Sequence, residues 1–335
     1  MSDAGPPREQ LLLFGEPPPA PRGPQSARLE REHEEAGEIA ARLPDGVRFG
    51  TSSWSFPDWE GLVYFSRRST TALAREGLRE YARHPLLRTV GIDRGYYGPI
   101  PRSDLERYAS QLPPGFPCCA KAPEAVTSPV LRERARGSAT ANPDFLRPGR
   151  FVDEMVGPFL EGFADHMGPF VIQFPPAPAG HRLRPEEFAE RLDRFLESLP
   201  RAARYAVEVR DPSLLTTAYA CVLASHGVAH TFNYVTAMPP PGEQRSIAPP
   251  GAAPFAMVRL IMPPGTYYAQ RRDALWPFDR VSDPDPEMRR QVVQLVREEA
   301  DLGRPVFVLV NNKAEGCSPL TIRALAELLA AGGAS

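Results

Sequence analysis

A chain of 335 residues exceeds the usual domain, yet α/β barrels of about 250 residues or more run as one piece, so a single large core is expected. Its 39 basic and 41 acidic side chains nearly cancel, so no global field recruits nucleic acid or membrane, and a polyanion would have to be gripped by a local patch. No run approaches the roughly 18 apolar residues of a membrane span and no apolar segment follows a basic start, so neither insertion nor export is expected and the location expected is the cytoplasm.

In chain order, residues 1–28 are rich in Pro, Gly and Arg without periodicity and read as a disordered tail. Inside it, Gln10-Leu-Leu-Leu-Phe14 resembles the short peptide with which bacterial DNA-processing proteins dock onto the sliding clamp. Leu11, Leu13 and Phe14 would fill a pocket while Gln10 satisfies backbone groups; the same run can equally fold back as an apolar tether. Residues 29–335 read as one barrel. Leu29–Leu43 is a charged, Ala-rich helix ended by Pro44-Asp45-Gly46.

Eight short apolar runs follow: Val47–Ser52, Arg88–Asp93, Pro117–Lys121, Pro169–Phe174, Arg204–Val209, Val228–Phe232, Phe255–Ile261 and Pro305–Val310. Amphipathic stretches separate them at Thr70–Arg83, Ser103–Gln111, Phe151–His166, Pro185–Ser198, Pro212–Ser225, Asp285–Leu302 and Pro319–Ala331. This alternation predicts parallel βαβ units and an α/β fold, a single (β/α)8 TIM-type barrel. Arg132–Arg150 is a polar insertion, Thr236–Pro254 replaces the sixth helix with a Pro-rich loop, and Pro263–Asp283 is a third long loop. All three follow strand C-termini and border the mouth.

The four cysteines, at 118, 119, 221 and 317, form no CxxC pair and read as small core residues, with Cys118 and Cys119 on opposite strand faces. Lysine occurs only at 121 and 313, and asparagine only at 142, 233, 311 and 312. In so Arg-rich a chain the surviving lysines mark places where a compact, titratable amine is wanted.

Chemistry is expected at the strand ends. Glu208 and Arg210 share one face of the fifth predicted strand, so Glu208 is either a general acid or base or half of a structural ion pair. Lys121 ends the third strand, suited to anchoring a phosphate or, if desolvated, to forming a Schiff base. Asp93 is a third catalytic candidate. Gln173, Asn233, Arg259, Asn311 and Asn312 stand at other strand ends, where amides and guanidiniums bond hydroxyls and phosphate oxygens. Lys313 either joins a phosphate site after the eighth strand or is a solvated loop lysine. Ser53 lies in the first strand's polar loop; Trp54, Trp59 and Tyr97 could stack on a sugar or base, or simply pack. His230 reads as a core histidine. No metal site is expected, a single magnesium ion bridged by Asp93, Glu208 and a substrate phosphate being the alternative.

Taken together, Gly50-Thr-Ser-Ser-Trp-Ser with Asp58-Trp59, Asp93 with Tyr97, Phe116 with Lys121, Gly168-Pro, Gln173-Phe-Pro-Pro, Glu208-Val-Arg210, Arg259, and Asn311-Asn312 with Gly316 resemble the domain-of-unknown-function 72 family, also called YecE-like. The resemblance runs from about Val47 to Leu329 and implies a TIM-type barrel without a settled reaction. Arg94-Gly-Tyr96 departs from the family's Asn-Ser-Thr-like run, so the second loop's ligand contacts are expected to differ. The function expected is an enzyme, a hydrolase or lyase, binding a phosphate- or sugar-containing ligand: a nucleic acid, with clamp docking and DNA repair, or a small sugar phosphate handled by an isomerase, lyase or hydrolase. A non-catalytic binding protein is the third reading.

Overall fold

The structure, a computed structural model, describes residues 24–132, 139–251 and 253–332. Eight parallel strands close into a barrel: β1 (Val47–Thr51), β2 (Thr89–Ile92), β3 (Cys118–Lys121), β4 (Met167–Phe174), β5 (Tyr205–Val209), β6 (Ala229–Tyr234), β7 (Ala256–Leu260) and β8 (Val306–Val310). Each pairs with its neighbours in sequence, and β8 closes on β1 in the register Val306 to Val47. The (β/α)8 expectation holds. Strands such as Val306-Phe-Val-Leu-Val310 are buried along their whole length, as they must be when helices cover one face and the barrel interior the other.

Helices α1 (Pro24–Ala40), α2 (Thr70–Glu76), α3 (Leu78–Tyr81), α4 (Arg102–Ala109), α5 (Pro185–Glu197), α6 (Thr217–His226), α7 (Pro241–Ile247), α8 (Tyr268–Leu275), α9 (Pro286–Asp301) and α10 (Ser318–Ala331) surround the staves or cap them. In α5 the spacing of Phe188, Leu192 and Phe195 puts all three on the stripe that meets the sheet. Burying side chains of this size contributes about 1.5–3 kcal/mol each.

The strand period of two separates two apolar clusters. Val47, Phe49, Val90, Ile92, Val207 and Val209 face the helices in the main core. Cys119, Val171, Ala206, Met257, Phe307 and Leu309 form a second, smaller cluster. Two residues further along those same strand faces stand Lys121, Gln173, Glu208, Arg259 and Asn311, so the geometry of the strands delivers them to one end above the small cluster. Between β1 and β2 the backbones approach closely: a Cβ on Gly50 would lie 2.1 Å from the Thr89 carbonyl oxygen, and one on Gly91 2.8 Å from that of Ser52.

Several expectations need correcting. Helix α1 begins at Pro24, so residues 24–28, expected as tail, are helical; the rest of that expectation, including Gln10, Leu11, Leu13 and Phe14, lies outside the described residues. The Pro-rich loop after β6 contains α7, because Pro240 and Pro241 stand where a helix loses no hydrogen bond by lacking an N–H. The long loop after β7 likewise holds α8. At the polar insertion after β3, Val130–Arg132 pairs antiparallel with Ala139–Ala141. Cys118, Cys119 and Cys317 are buried as expected, but Cys221 is exposed on α6.

Candidate functional site

Glu208 is the centre of the mouth. It is fully buried, and each carboxylate oxygen has its own guanidinium: Arg210 Nε donates to Oε1 at 2.7 Å and Arg259 Nη1 to Oε2 at 2.5 Å. Arg259, also buried, reaches on to Asp93, with Nη2 3.5 Å from Oδ1. Burial works to raise the Glu208 carboxyl, but Arg210 and Arg259 overrule it and hold the group at about 2. With each oxygen bonded to a guanidinium, the geometry favours the structural ion pair over the general acid or base among the roles open to Glu208. It is also a poor magnesium ligand, since both oxygens are taken. Among the described residues no group of three or more His, Cys, Asp or Glu is arranged to hold a metal.

Lys121 sits half-buried beside this ion network. Its Nζ lies 3.4 Å from the centroid of the Tyr96 ring. Burial and the Arg259 and Arg210 guanidiniums, against Asp93 and Glu208, bring its amine down to about 7. The ring opposes them, favouring the ammonium by about 0.5–2 kcal/mol. Tyr96 itself is held as the neutral phenol, first by burial and then by the charge of Glu124, to which it is hydrogen-bonded.

Lys313 is not the solvated loop lysine that was the alternative. It is buried, its Nζ donates to Asn311 Oδ1 at 2.8 Å, and the Tyr268 ring centroid lies 4.4 Å away. Burial, with Arg210 and Arg272, brings it down to about 8 against the pull of Asp93. Arg271 clasps α8 over this corner by donating from Nε to the Lys313 carbonyl at 3.0 Å and from Nη2 to that of Ala314 at 2.8 Å.

The structure thus brings together Asp93, Lys121, Glu208, Arg210, Arg259, Asn311 and Lys313, with Gln173 beside Glu208 in register. Other candidates belong to the scaffold. Trp59 is fully buried and Trp54 nearly so, its indole donating to the Leu73 carbonyl at 2.9 Å, so neither can stack on a ligand. Asn233, fully buried, donates to the Val209 carbonyl at 2.8 Å. Asn312, buried, accepts through Oδ1 from the Ser318 N–H at 2.8 Å and hydroxyl at 2.7 Å, starting α10, while its Nδ2 has no partner among the described residues. Ser53 is half-buried, its hydroxyl 3.4 Å from that of Ser55. Tyr97 is exposed at the rim, edge-on to Tyr96. His230 is a core histidine bonded to Tyr219 and Gln244, and burial brings it down to about 4.

From the sequence, Tyr268 and Arg271 stand in a loop bordering the mouth and Tyr96 in the variant second loop, but none of the three is assigned a role there, and Glu124 is not singled out. Tyr96 was within reach, because it directly precedes Tyr97; the other three sit in segments whose helices were not foreseen.

A family model described as "Protein of unknown function DUF72" matches residues 48–335. Among solved structures, the chain is similar to a DUF72 family protein from Thermotoga maritima, at 19% identity and TM-score 0.58, covering 84% of this chain and 99% of that one. It is also similar to a DUF72 family protein from Enterococcus faecalis, at 16% identity and TM-score 0.53, covering 84% and 95% respectively. At these identities the structures speak for the fold alone. No curated protein matches the chain.

Proposed function

The chain belongs to the DUF72 family of unknown function, and from the geometry of its barrel mouth we propose that it is a lyase acting through the Lys121 amine on the aldehyde or ketone of a phosphorylated sugar-sized compound. The observation that carries this reading is the placement of Lys121, an amine desolvated beside two guanidiniums and brought down to about 7, so that a large fraction is nucleophilic at neutral pH. Its lone pair attacks the carbonyl carbon, and the carbonyl oxygen takes one proton from the amine nitrogen and one from an acid and departs as water, leaving an iminium. The bond between the α and β carbons then breaks, its electrons flowing into the iminium to give an enamine while the β-hydroxyl loses its proton and becomes the carbonyl of the departing fragment; protonation of the enamine and attack of water free the second product and restore the amine. Asp93 is the carboxylate placed to exchange protons with the departing oxygen. Lys313 and Arg210 hold the phosphate, and Arg259 is kept rigid by Glu208.

The test is reductive trapping of the full chain with ribose 5-phosphate and cyanoborohydride, followed by peptide mass spectrometry. An adduct on Lys121, absent from Lys121→Met, is the expected result; no adduct, or one confined to Lys313, overturns the assignment. A second reading rests on the Tyr96 ring beneath Lys121: the amine stays charged and serves as a phosphate anchor. It predicts phosphate binding without any trapped adduct. A polynucleotide substrate with sliding-clamp docking through Gln10–Phe14 is a finer version of the same chemistry, tested by titrating that peptide against a clamp.

A further inference from the structure

On the outer face, α1, α2, α3 and α4 with the loop after β1 enclose an open groove of about 730 Å³. Five arginines line it, Arg68, Arg75, Arg79, Arg83 and Arg107, against two glutamates, Glu76 and Glu80. This local excess of positive charge stands in a chain whose net charge is −2. Arg75, Arg79 and Arg83 are exposed and have no carboxylate partner among the described residues. They fall four residues apart: Arg75 and Arg79 lie on α2 and α3, which run almost continuously because Gly77 keeps a helical conformation and its N–H donates to the Leu73 carbonyl at 2.7 Å, and Arg83 follows in the turn that closes α3, its N–H donating to the Glu80 carbonyl at 3.0 Å. Such spacing places successive side chains on one face about 5–6 Å apart.

The opposite wall is built rather than incidental. Glu80 accepts the Phe65 N–H at 3.0 Å and also binds Arg68, pinning both to the groove. Phe65 is 52% exposed, a large aromatic face presented where hydrophobic burial would be expected. Four side-chain atoms of the lining are buried without a partner: Arg68 Nε, Arg107 Nε, His33 Nε2 and Gln111 Oε1. Buried polar atoms are usually satisfied, so this wall holds hydrogen-bonding capacity that the fold itself does not use.

We propose that this groove binds single-stranded nucleic acid, with the phosphodiester backbone tracking Arg75, Arg79 and Arg83 and a base stacked on Phe65. A row of cations at a regular interval fits a chain carrying one charge per repeat. An aromatic platform beside it fits unpaired bases, which an acidic peptide lacks and a duplex keeps stacked inside. The site is separate from the mouth and does not depend on the reaction proposed there.

The experiment is fluorescence anisotropy of labelled dodecathymidylate with the full chain across a salt series. The affinity is expected to fall with salt and to drop roughly tenfold or more in Arg75→Glu/Arg79→Glu/Arg83→Glu, with the salt slope shallower by about 2, since each lost phosphate contact removes about 0.7. Phe65→Ala should weaken binding without changing that slope, and ribose 5-phosphate, the probe of the mouth, should not displace the oligonucleotide. The milder Arg75→Gln/Arg79→Gln/Arg83→Gln variant, checked by circular dichroism, guards against misfolding. The proposal is overturned by no binding, by binding the triple variants do not alter, by displacement with ribose 5-phosphate, or by equal binding of a polyglutamate peptide or of duplex DNA.

Discussion

The mouth and the groove of arginines are both cationic, and they are built on opposite principles. At the mouth Arg259 and Glu208 are buried, so each charge has to be compensated at hydrogen-bond distance, and the cost of their desolvation is met by mutual contact. In the groove Arg75, Arg79 and Arg83 stay hydrated and need no partner to fold. The difference teaches where charge can do chemistry. Locked ions shift the titration of a neighbour such as Lys121; loose ones leave their neighbours alone and recruit from solution.

The sharpest way to break that contrast is Glu208→Gln, which takes the shared carboxylate from both guanidiniums and leaves Arg259 only its longer contact with Asp93. It should cost about 3–5 kcal/mol in denaturant unfolding; a loss below 1 kcal/mol would mean that the mouth ions are no more coupled than those of the groove. Acid supplies a gentler version. The Glu208 carboxyl lies below its ordinary value, at about 2 against 4.5, so its contribution is complete above pH 4.5 and is lost as pH falls toward 2. That contribution is about 3 kcal/mol, and Glu208→Gln should flatten this part of the stability profile. Lys121 works with the other sign. Its amine binds a proton less readily in the folded state than in the unfolded, so stability should rise as pH climbs from about 7 to 10.5, and Lys121→Met should remove that rise. The smallest effect belongs to the groove: charge reversal at Arg75, Arg79 and Arg83 should move unfolding stability by no more than about 0.5 kcal/mol per site.

The barrel was legible because the strand period of two and the helix period write themselves into any chain that buries both, and the same parity aimed Lys121, Glu208 and Arg259 at one rim. What parity cannot register is burial near a strand end. Trp54 and Trp59 occupy a polar-looking loop that turns back under α2, so the sequence leaves stacking and packing equally open where burial decides for packing. Lys313 was ambiguous for the converse reason: α8, which covers it, was hidden in a segment that looks like loop. Prolines concealed α7, since from sequence alone a helix-opening proline and a loop proline are the same letter.

The close seam between β1 and β2 reaches beyond packing. With Gly50 pressed against Thr89 and Gly91 against Ser52, no side chain can be added at either place without prising two staves apart. The bore of the cylinder is therefore fixed on that side. Any shift in the size of what it admits would have to come from remodelling the surrounding loops, which makes them, and not the staves, the productive targets for directed evolution.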